Sequence, residues 1–328
     1  MAKFKGKTDK FLQDEMKDHH QILTDRIVAK MEEAVKFEKP WFTCSILPYN
    51  PVTKTKYRGI NLVSLLANGF DDPRFLTFQN IQTLSKEIGS PILIKKGEKG
   101  TPIFKAIKRT FVNEDKETGE KNTGSYFQYV YSGSVFNASQ LTGMPALLTP
   151  NTEPFKTEEE AEKILKAMCE MTGLKFEHKK QDMACYIPSI DTVLMPPKEY
   201  FKSSLSYYST LMHELGHSTG HESRLNRKLV GQFGSPDYAF EELVAELNSF
   251  FLGATINLPY DSKIHDNHAG YLKSWLKALK DDKNMIFKAS SQASKAVEFQ
   301  INTKNAFYGE AIDLIEEAES STIKKPKM

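Results

Sequence analysis

Apolar positions recur at helical spacing between residues 11 and 38. Ile22, Ile27, Val28, Met31, Ala34 and Val35 lie on one side of an amphipathic helix that Pro40 ends. From Trp41 to Phe136 the pattern shortens to brief apolar runs between Gly and Pro turns. There "PILI", "TPIFKAI" and "YFQYVYSGSVF" read as strands, and the charged, Gly-containing "NEDKETGEKNTG" reads as a hairpin tip. The stretch "MPALLTPNTEP" holds three prolines and no period, which places a domain boundary near residue 150. Beyond it, "TEEEAEKILKAMCEMTG" has Thr157 as N-cap, acidic residues in its first turn and Gly173 as its stop. The strand-like "ACYIPSIDTVLMPP" follows, then a helix containing "HELGH", a loop through "GQFGSPD" and a helix from about Tyr238 to Gly253. A helical pair lies within residues 267–300, and the tail is polar from about residue 318. The pattern predicts an α+β protein of two domains, 1–150 and 151–328.

With 328 residues, each half is long enough to bury a core of its own. No apolar run approaches the ~20 residues of a membrane span. The opening "MAKFKGKTDKFLQDEMKDHH" has neither an apolar stretch nor a cleavage site. Cys44, Cys169 and Cys185 are few and widely spaced, which reads as reduced thiols of a cytoplasmic protein. Net charge is only +2, but residues 1–150 carry 22 of the 44 Lys and Arg against 16 of the 42 Asp and Glu. The front is therefore basic and the back acidic, so the two modules suit different partners, the front a polyanion. No GxGxxG or Walker-type loop occurs, and "KKGEKG" lacks the GK[ST] ending and reads as a turn.

The "HELGH" segment changes the picture most. On a helix, residues i and i+4 sit one above the other, so His213 and His217 can share one ion while Glu214 is turned about 100° away. Leu205, Tyr208, Leu211, Met212 and Leu215 form a separate apolar face, and Gly216 leaves room for close packing. The alternative is a helix with two incidental histidines. A catalytic zinc needs a third protein ligand and an open position. The metzincin pattern HExxHxxGxxH is met at Gly220 but fails at Ser223, since His221 comes two residues early. "YAFEELVAELNSFFLG" offers Glu241, Glu242 and Glu246. Glu242 and Glu246 share a face at i, i+4, beside an apolar face of Phe240, Leu243, Leu247 and Phe251. Either could be the ligand, the other orienting a histidine through its second ring nitrogen. Glu241 reads as part of a solvated acidic surface. The spacing resembles that of gluzincins, and that resemblance implies Glu242 as ligand and Glu246 as orienter.

In the front half, residues 41–109 interleave aromatic and basic side chains: Trp41, Tyr49, Lys54, Lys56, Tyr57, Arg58, Arg74, Phe75, Lys95, Lys96, Lys99 and Lys105. Single-strand binders need cations for phosphates and aromatic faces for bases. Trp41 and Phe75 read as core. Tyr57 and Arg58, beside the Gly59 turn, read as the better contacts, with sequence-independent binding.

Taken together, "YYSTLMHELGHSTGHESRLNR" and "FEELVAEL" resemble the metallopeptidase domain of ArdC-type antirestriction proteins of conjugative plasmids. "KPWFTCSILPYNPVTKTKYRGINLVSLL", "DPRFLTFQNIQTL", "KKGEKGTPIF" and "VFNASQLTG" resemble their N-terminal domain, a type also found at the front of some plasmid DNA primases. The resemblance spans roughly residues 10–300. It implies a front domain that binds single-stranded DNA, a zincin-like back domain, and a role in shielding incoming plasmid DNA from restriction. On this reading Zn2+, or Mn2+ in its place, activates a water, Glu214 takes its proton, and a peptide or protein substrate is cleaved. Tyr186, Tyr208 and His221 are candidates for the oxyanion stabiliser. The rival reading is a non-catalytic single-stranded-DNA-binding or primase-accessory protein whose metal is structural.

Overall fold

The computed structural model describes residues 19–33, 43–44, 47–114, 121–147, 157–229, 235–258, 260–261 and 268–310. The first helix, α1, is seen over 19–33, with Leu23, Ile27 and Met31 forming a buried i, i+4, i+8 stripe. Ile22, counted with the apolar side in the sequence, instead faces solvent. Trp41, the hairpin tip at 115–120 and the tail lie outside the described residues.

Two helices of the front half escaped the reading of short apolar runs as strands. They are α2 (Gly59–Leu66) and α3 (Phe78–Glu87). In α2, Ile60, Leu62, Val63, Ser64 and Leu65 are all buried, so there is no amphipathic period to read. In α3 the Thr77 side chain accepts from Asn80 N as N-cap. Strands β2 (Phe75–Thr77), β4 (Thr101–Glu114) and β5 (Lys121–Asn137) form one sheet in the order β2-β5-β4. The β4–β5 ribbon is antiparallel, with a register shift at Ile103/Phe104. Short β3 (Leu93–Ile94) pairs with β6 (Leu141–Thr142). Phe75 is buried, as its position predicts.

The back half opens with α4 (Thr157–Thr172), its first turn carrying Glu158, Glu159 and Glu160, and Gly173 in the left-handed region ends it. The run read as one strand is two. Cys185–Ile187 (β8) and Thr192–Met195 (β9) run antiparallel, because Pro188 opens a 3-10 turn and Asp191 sits at φ 47°. Together with β7 (Lys175–His178), parallel to β9, they form a sheet of order β7-β9-β8. Strand β9 is buried throughout, and β8 is the edge nearer the site. Helices α5 (Ser204–Ser218) and α6 (Pro236–Thr255) follow, capped by Ser203 and Ser235. Then come α7 (His268–Asp281) and α8 (Met285–Tyr308).

The two halves do not bury separate cores. One cluster joins Leu23 and Ile27 of α1, Ile60 and Val63 of α2 and Phe104 of β4 to Phe250, Trp275, Phe287 and Val297 of the back half. At the seam the Phe287 ring meets His20 at 4.0 Å, Phe104 at 5.1 Å and Tyr129 at 5.7 Å between centroids. Two smaller clusters remain the front's own, around Leu76, Ile81, Ile92 and Leu141 and around Leu65, Phe75 and Val135. Strand β1 (Thr43–Cys44) also pairs across the chain, with β10 (Tyr260–Asp261).

Candidate metal centre

The centre is built where α5 crosses α6, and Gly216 fixes how closely they approach. A Cβ there would lie 2.9 Å from Asn248 Nδ2 and 3.2 Å from the Ala245 Cα. Asn248 Nδ2 also donates to the Met212 carbonyl at 2.9 Å, tying the helices at the residue before His213. The apolar faces behind the site, Leu211, Met212 and Leu215 against Leu243 and Leu247, are fully buried. Glu242 and Glu246 are thereby turned toward His213.

His213 Nε2 and His217 Nε2 face each other at 3.2 Å. Glu242 reaches both, Oε2 at 3.4 Å from His213 Nε2 and Oε1 at 3.7 Å from His217 Nε2. One ligand atom from each of the three residues lies within 4.8 Å of the others. The remaining ring nitrogens are turned to other carboxylates: His213 Nδ1 to Glu246 Oε2 at 3.4 Å, and His217 Nδ1 to Glu241 Oε1 at 3.2 Å. With Nδ1–H turned outward, each neutral ring would leave its Nε2 lone pair facing inward, beside a carboxylate oxygen. Two imidazoles and a carboxylate converging on one point are a donor set that fits a divalent ion.

The electrostatics agree. Burial alone would lower both imidazoles, but Glu242 and its neighbours outweigh it, raising His217 to about 9 and His213 well above its ordinary value. Burial would raise Glu242, yet the two histidines hold its carboxyl far below the usual range. Glu214 is the exception among these acids. It is buried, and desolvation keeps its pKa above the ordinary value despite both histidines and a backbone hydrogen bond from Tyr186.

Glu241 was assigned to a solvated surface, and that is corrected. It is 6% exposed and forms a two-pronged ion pair with Arg227, Nη2–Oε1 2.7 Å and Nε–Oε2 3.0 Å. Sequence reading missed Arg227, because nothing in the order of residues shows the loop after α5 returning to α6. Of the oxyanion candidates, the Tyr186 hydroxyl donates to Asp191 at 2.7 Å and accepts from Arg224 at 3.3 Å. The Tyr208 hydroxyl donates to Glu162 at 2.7 Å, and His221 Nδ1 pairs with the Ser223 hydroxyl at 2.8 Å.

Comparison with known proteins places this geometry. Residues 159–292 match a family described as a zincin-like metallopeptidase, and residues 17–136 match the N-terminal domain of the anti-restriction factor ArdC. The fold is similar to the crystal structure of the antirestriction protein ArdC from plasmid R388. In its metal-free form the TM-score is 0.62 at 34% identity, covering 88% of this chain and 98% of that one. The chain belongs to the ArdC family. A Mn(II)-bound structure of the same R388 protein aligns with the same TM-score at 32% identity and equal coverage. Protein y4eC of Sinorhizobium fredii is 30% identical over 292 residues, 86% of this chain and 91% of that protein. A DNA primase TraC of Escherichia coli is 35% identical over 299 residues, 86% of this chain but 27% of the primase. The chain thus spans about a quarter of that primase's length.

Within the ArdC-type front half, the contact candidates fall into two groups. Lys54, Lys56, Lys96 and Lys99 are exposed. Lys95 is exposed too, its Nζ donating to the Ser139 carbonyl at 2.7 Å, and Arg58 stands at the N-cap position of α2, where its charge feels Glu298 of α8. Tyr49 is half-buried, its backbone bridging those of Lys56 and Arg74. Arg74 and Tyr57 are corrected to structural places. Arg74 is buried, bonded to both oxygens of Asp72 and to the Pro145 carbonyl. Tyr57 packs edge-on against Phe75 and donates to its carbonyl at 3.4 Å. Phe78, which the sequence reading passed over, stands in solvent at 58% exposed. Asn50 holds the loop bearing Lys54 beside it, donating to Asn80 Oδ1 at 2.8 Å in the first turn of α3.

Proposed function

We propose that this chain is an antirestriction factor of the cytoplasm whose front half holds single-stranded DNA and whose back half is a zinc-dependent peptidase. The observation that carries the second part is the convergence of His213 Nε2, His217 Nε2 and Glu242 beside a buried glutamate of raised pKa. A divalent ion held there would polarise a substrate carbonyl and make water more acidic. Zinc suits this donor set, and the Mn(II)-bound relative supports a site tolerant of other divalent ions. Glu214 takes a proton from the attacking water as its oxygen joins the carbonyl carbon, then gives the proton to the departing amine as the C–N bond breaks. Its desolvated carboxyl brings that proton exchange nearer neutral pH. A substrate peptide would add as a strand along the β8 edge, where Tyr186 already bonds Glu214 through its backbone.

The front-half reading rests on family membership, the basic excess, and the grouping of exposed Phe78 with Lys54 and Lys56. Phe78 supplies a ring for one base and the lysines follow the phosphates.

The test uses the full chain. About one divalent ion per chain is expected, lost in His213→Ala. Glu214→Gln should keep the ion while abolishing cleavage in a proteome-wide peptide screen. Cleavage unchanged in Glu214→Gln would remove the peptidase reading. Retained antirestriction without cleavage by the native chain would leave a structural metal. Single-stranded DNA affinity should fall with salt at a slope of ~ −0.7 per phosphate contact. Phe78→Ala should weaken it by ~1–3 kcal/mol. Binding insensitive to salt would sink the DNA reading.

A further inference from the structure

The two histidines of the centre are supported unequally. His213 lies mid-helix, and its Nδ1 faces Glu246, four residues beyond Glu242 on α6. His217 lies one residue from the end of α5, where the helix leaves its last carbonyls without intrahelical partners.

We propose that Arg227 is a positioning residue of the metal centre, acting through Glu241 on the ring of His217. This rests on the reading that the centre holds a divalent ion. The guanidinium closes the open helix end. Nη2 donates to the Gly216 carbonyl at 2.8 Å and to Glu241 Oε1 at 2.7 Å, Nε to Glu241 Oε2 at 3.0 Å, and Nη1 to the Thr219 hydroxyl at 2.7 Å. Four of its five N–H groups are used within one turn of His217. Glu241 Oε1 then accepts from His217 Nδ1, so the same oxygen joins the arginine fork to the ring. Both charged side chains are buried, 5% and 8% exposed, so their pairing is not diluted by solvent. A lysine could make one of these bonds but not the flat, two-pronged pair.

The loop is shaped to deliver this group. Leu225 N bonds the Thr219 carbonyl at 3.0 Å, Asn226 N that of His221 at 3.1 Å, and Arg227 N that of Gly220 at 2.9 Å. Asn226 takes a left-handed conformation, φ 48°, to make the return. Gly220 leaves the space: a Cβ there would lie 2.5 Å from Leu229 Cδ2 and 3.1 Å from Arg227 Nη2. The glycine that fits the metzincin pattern therefore has a local duty of its own.

The experiment is chelator competition for zinc by the full chain. Arg227→Gln and Glu241→Gln should each weaken zinc binding about 10–100-fold, with Arg227→Lys between them and the native chain. The double variant Arg227→Gln/Glu241→Gln should be no weaker than the worse single, because the arginine works through the glutamate. Arg227→Gln combined with Glu246→Gln should instead multiply the two losses, since they serve different histidines. Should Arg227→Gln fail to fold, leaving Glu241 buried without its guanidinium, the charge-neutral double variant carries the test: affinity equal to native overturns the proposal. A multiplied loss in the Arg227/Glu241 pair overturns it equally. Native protein that binds no zinc, manganese or cobalt removes the metal reading and the clamp together, whereas native binding that Arg227→Gln leaves intact removes the clamp alone.

Discussion

A histidine in this centre answers to carboxylates on both of its nitrogens, and that gives the protein a definite pH response. In chelator-treated protein, His217 has a folded pKa raised from 6.5 to about 9, so its contribution to stability is complete below about 6.5 and is lost as pH rises toward 9. Glu242 is depressed, and its contribution is present above about 4.5 and lost as pH falls below that. Stability of the stripped protein should therefore be highest between about pH 4.5 and 6.5 and decline through pH 9. Zinc binding should run the other way, tightening over that upper range, because the ion needs the imidazoles deprotonated. Thermal unfolding across pH, with and without excess zinc, measures both. A stripped protein as stable at pH 9 as at pH 6 would show that the histidines are not paired as seen. His213, His217 and Glu214 were legible because HExxH fixes its own geometry through one helix. Glu241 was misread, since adjacent glutamates look alike on paper and only Arg227, fourteen residues upstream, distinguishes them.

At the scale of elements, the site depends on how near α6 comes to α5. Gly216→Ala would gain up to ~1 kcal/mol of helix propensity. It would also press a methyl against Asn248 and the Ala245 backbone at 2.9–3.2 Å, an overpacking that costs ~1–3 kcal/mol. The backbone atom cannot swing aside, so α6 must yield, taking Glu242 and Glu246 with it. The expected outcome is a lower unfolding midpoint together with weaker zinc binding. A higher midpoint with affinity intact would mean the contact is slack. These two helices were visible in the sequence from their 3.6-residue period. Helix α2 was not, because it is buried nearly all round, and β8 and β9 were merged because the left-handed Asp191 follows no glycine or asparagine signal. Arg74, basic on paper, proved to be a strut, since the sequence does not reveal that Asp72 folds back onto its Nε and Nη2.

Across the whole molecule, two family matches meet on one hydrophobic cluster, and the charge asymmetry of the sequence is laid over a continuous interior. Phe287 of α8 is the ring at the centre of that seam, touching His20, Phe104 and Tyr129 from the front half. Gly59, in the left-handed region at the start of α2, abuts α8 as well: a Cβ there would lie 3.0 Å from the Ser294 hydroxyl. Halves joined in this way should unfold together. A single calorimetric transition is expected, coinciding with loss of DNA binding and, in zinc-loaded protein, with release of the ion. Phe287→Ala should lower stability by ~3–5 kcal/mol, since a buried aromatic leaves a large cavity, and should bring both proposed activities down at one lower temperature. A fragment ending near residue 150 would expose Ile60, Val63 and Phe104 to water and should not hold its fold. Two separated transitions, with Phe287→Ala shifting only one, would show that each half stands on its own core and that the seam is a contact between finished domains.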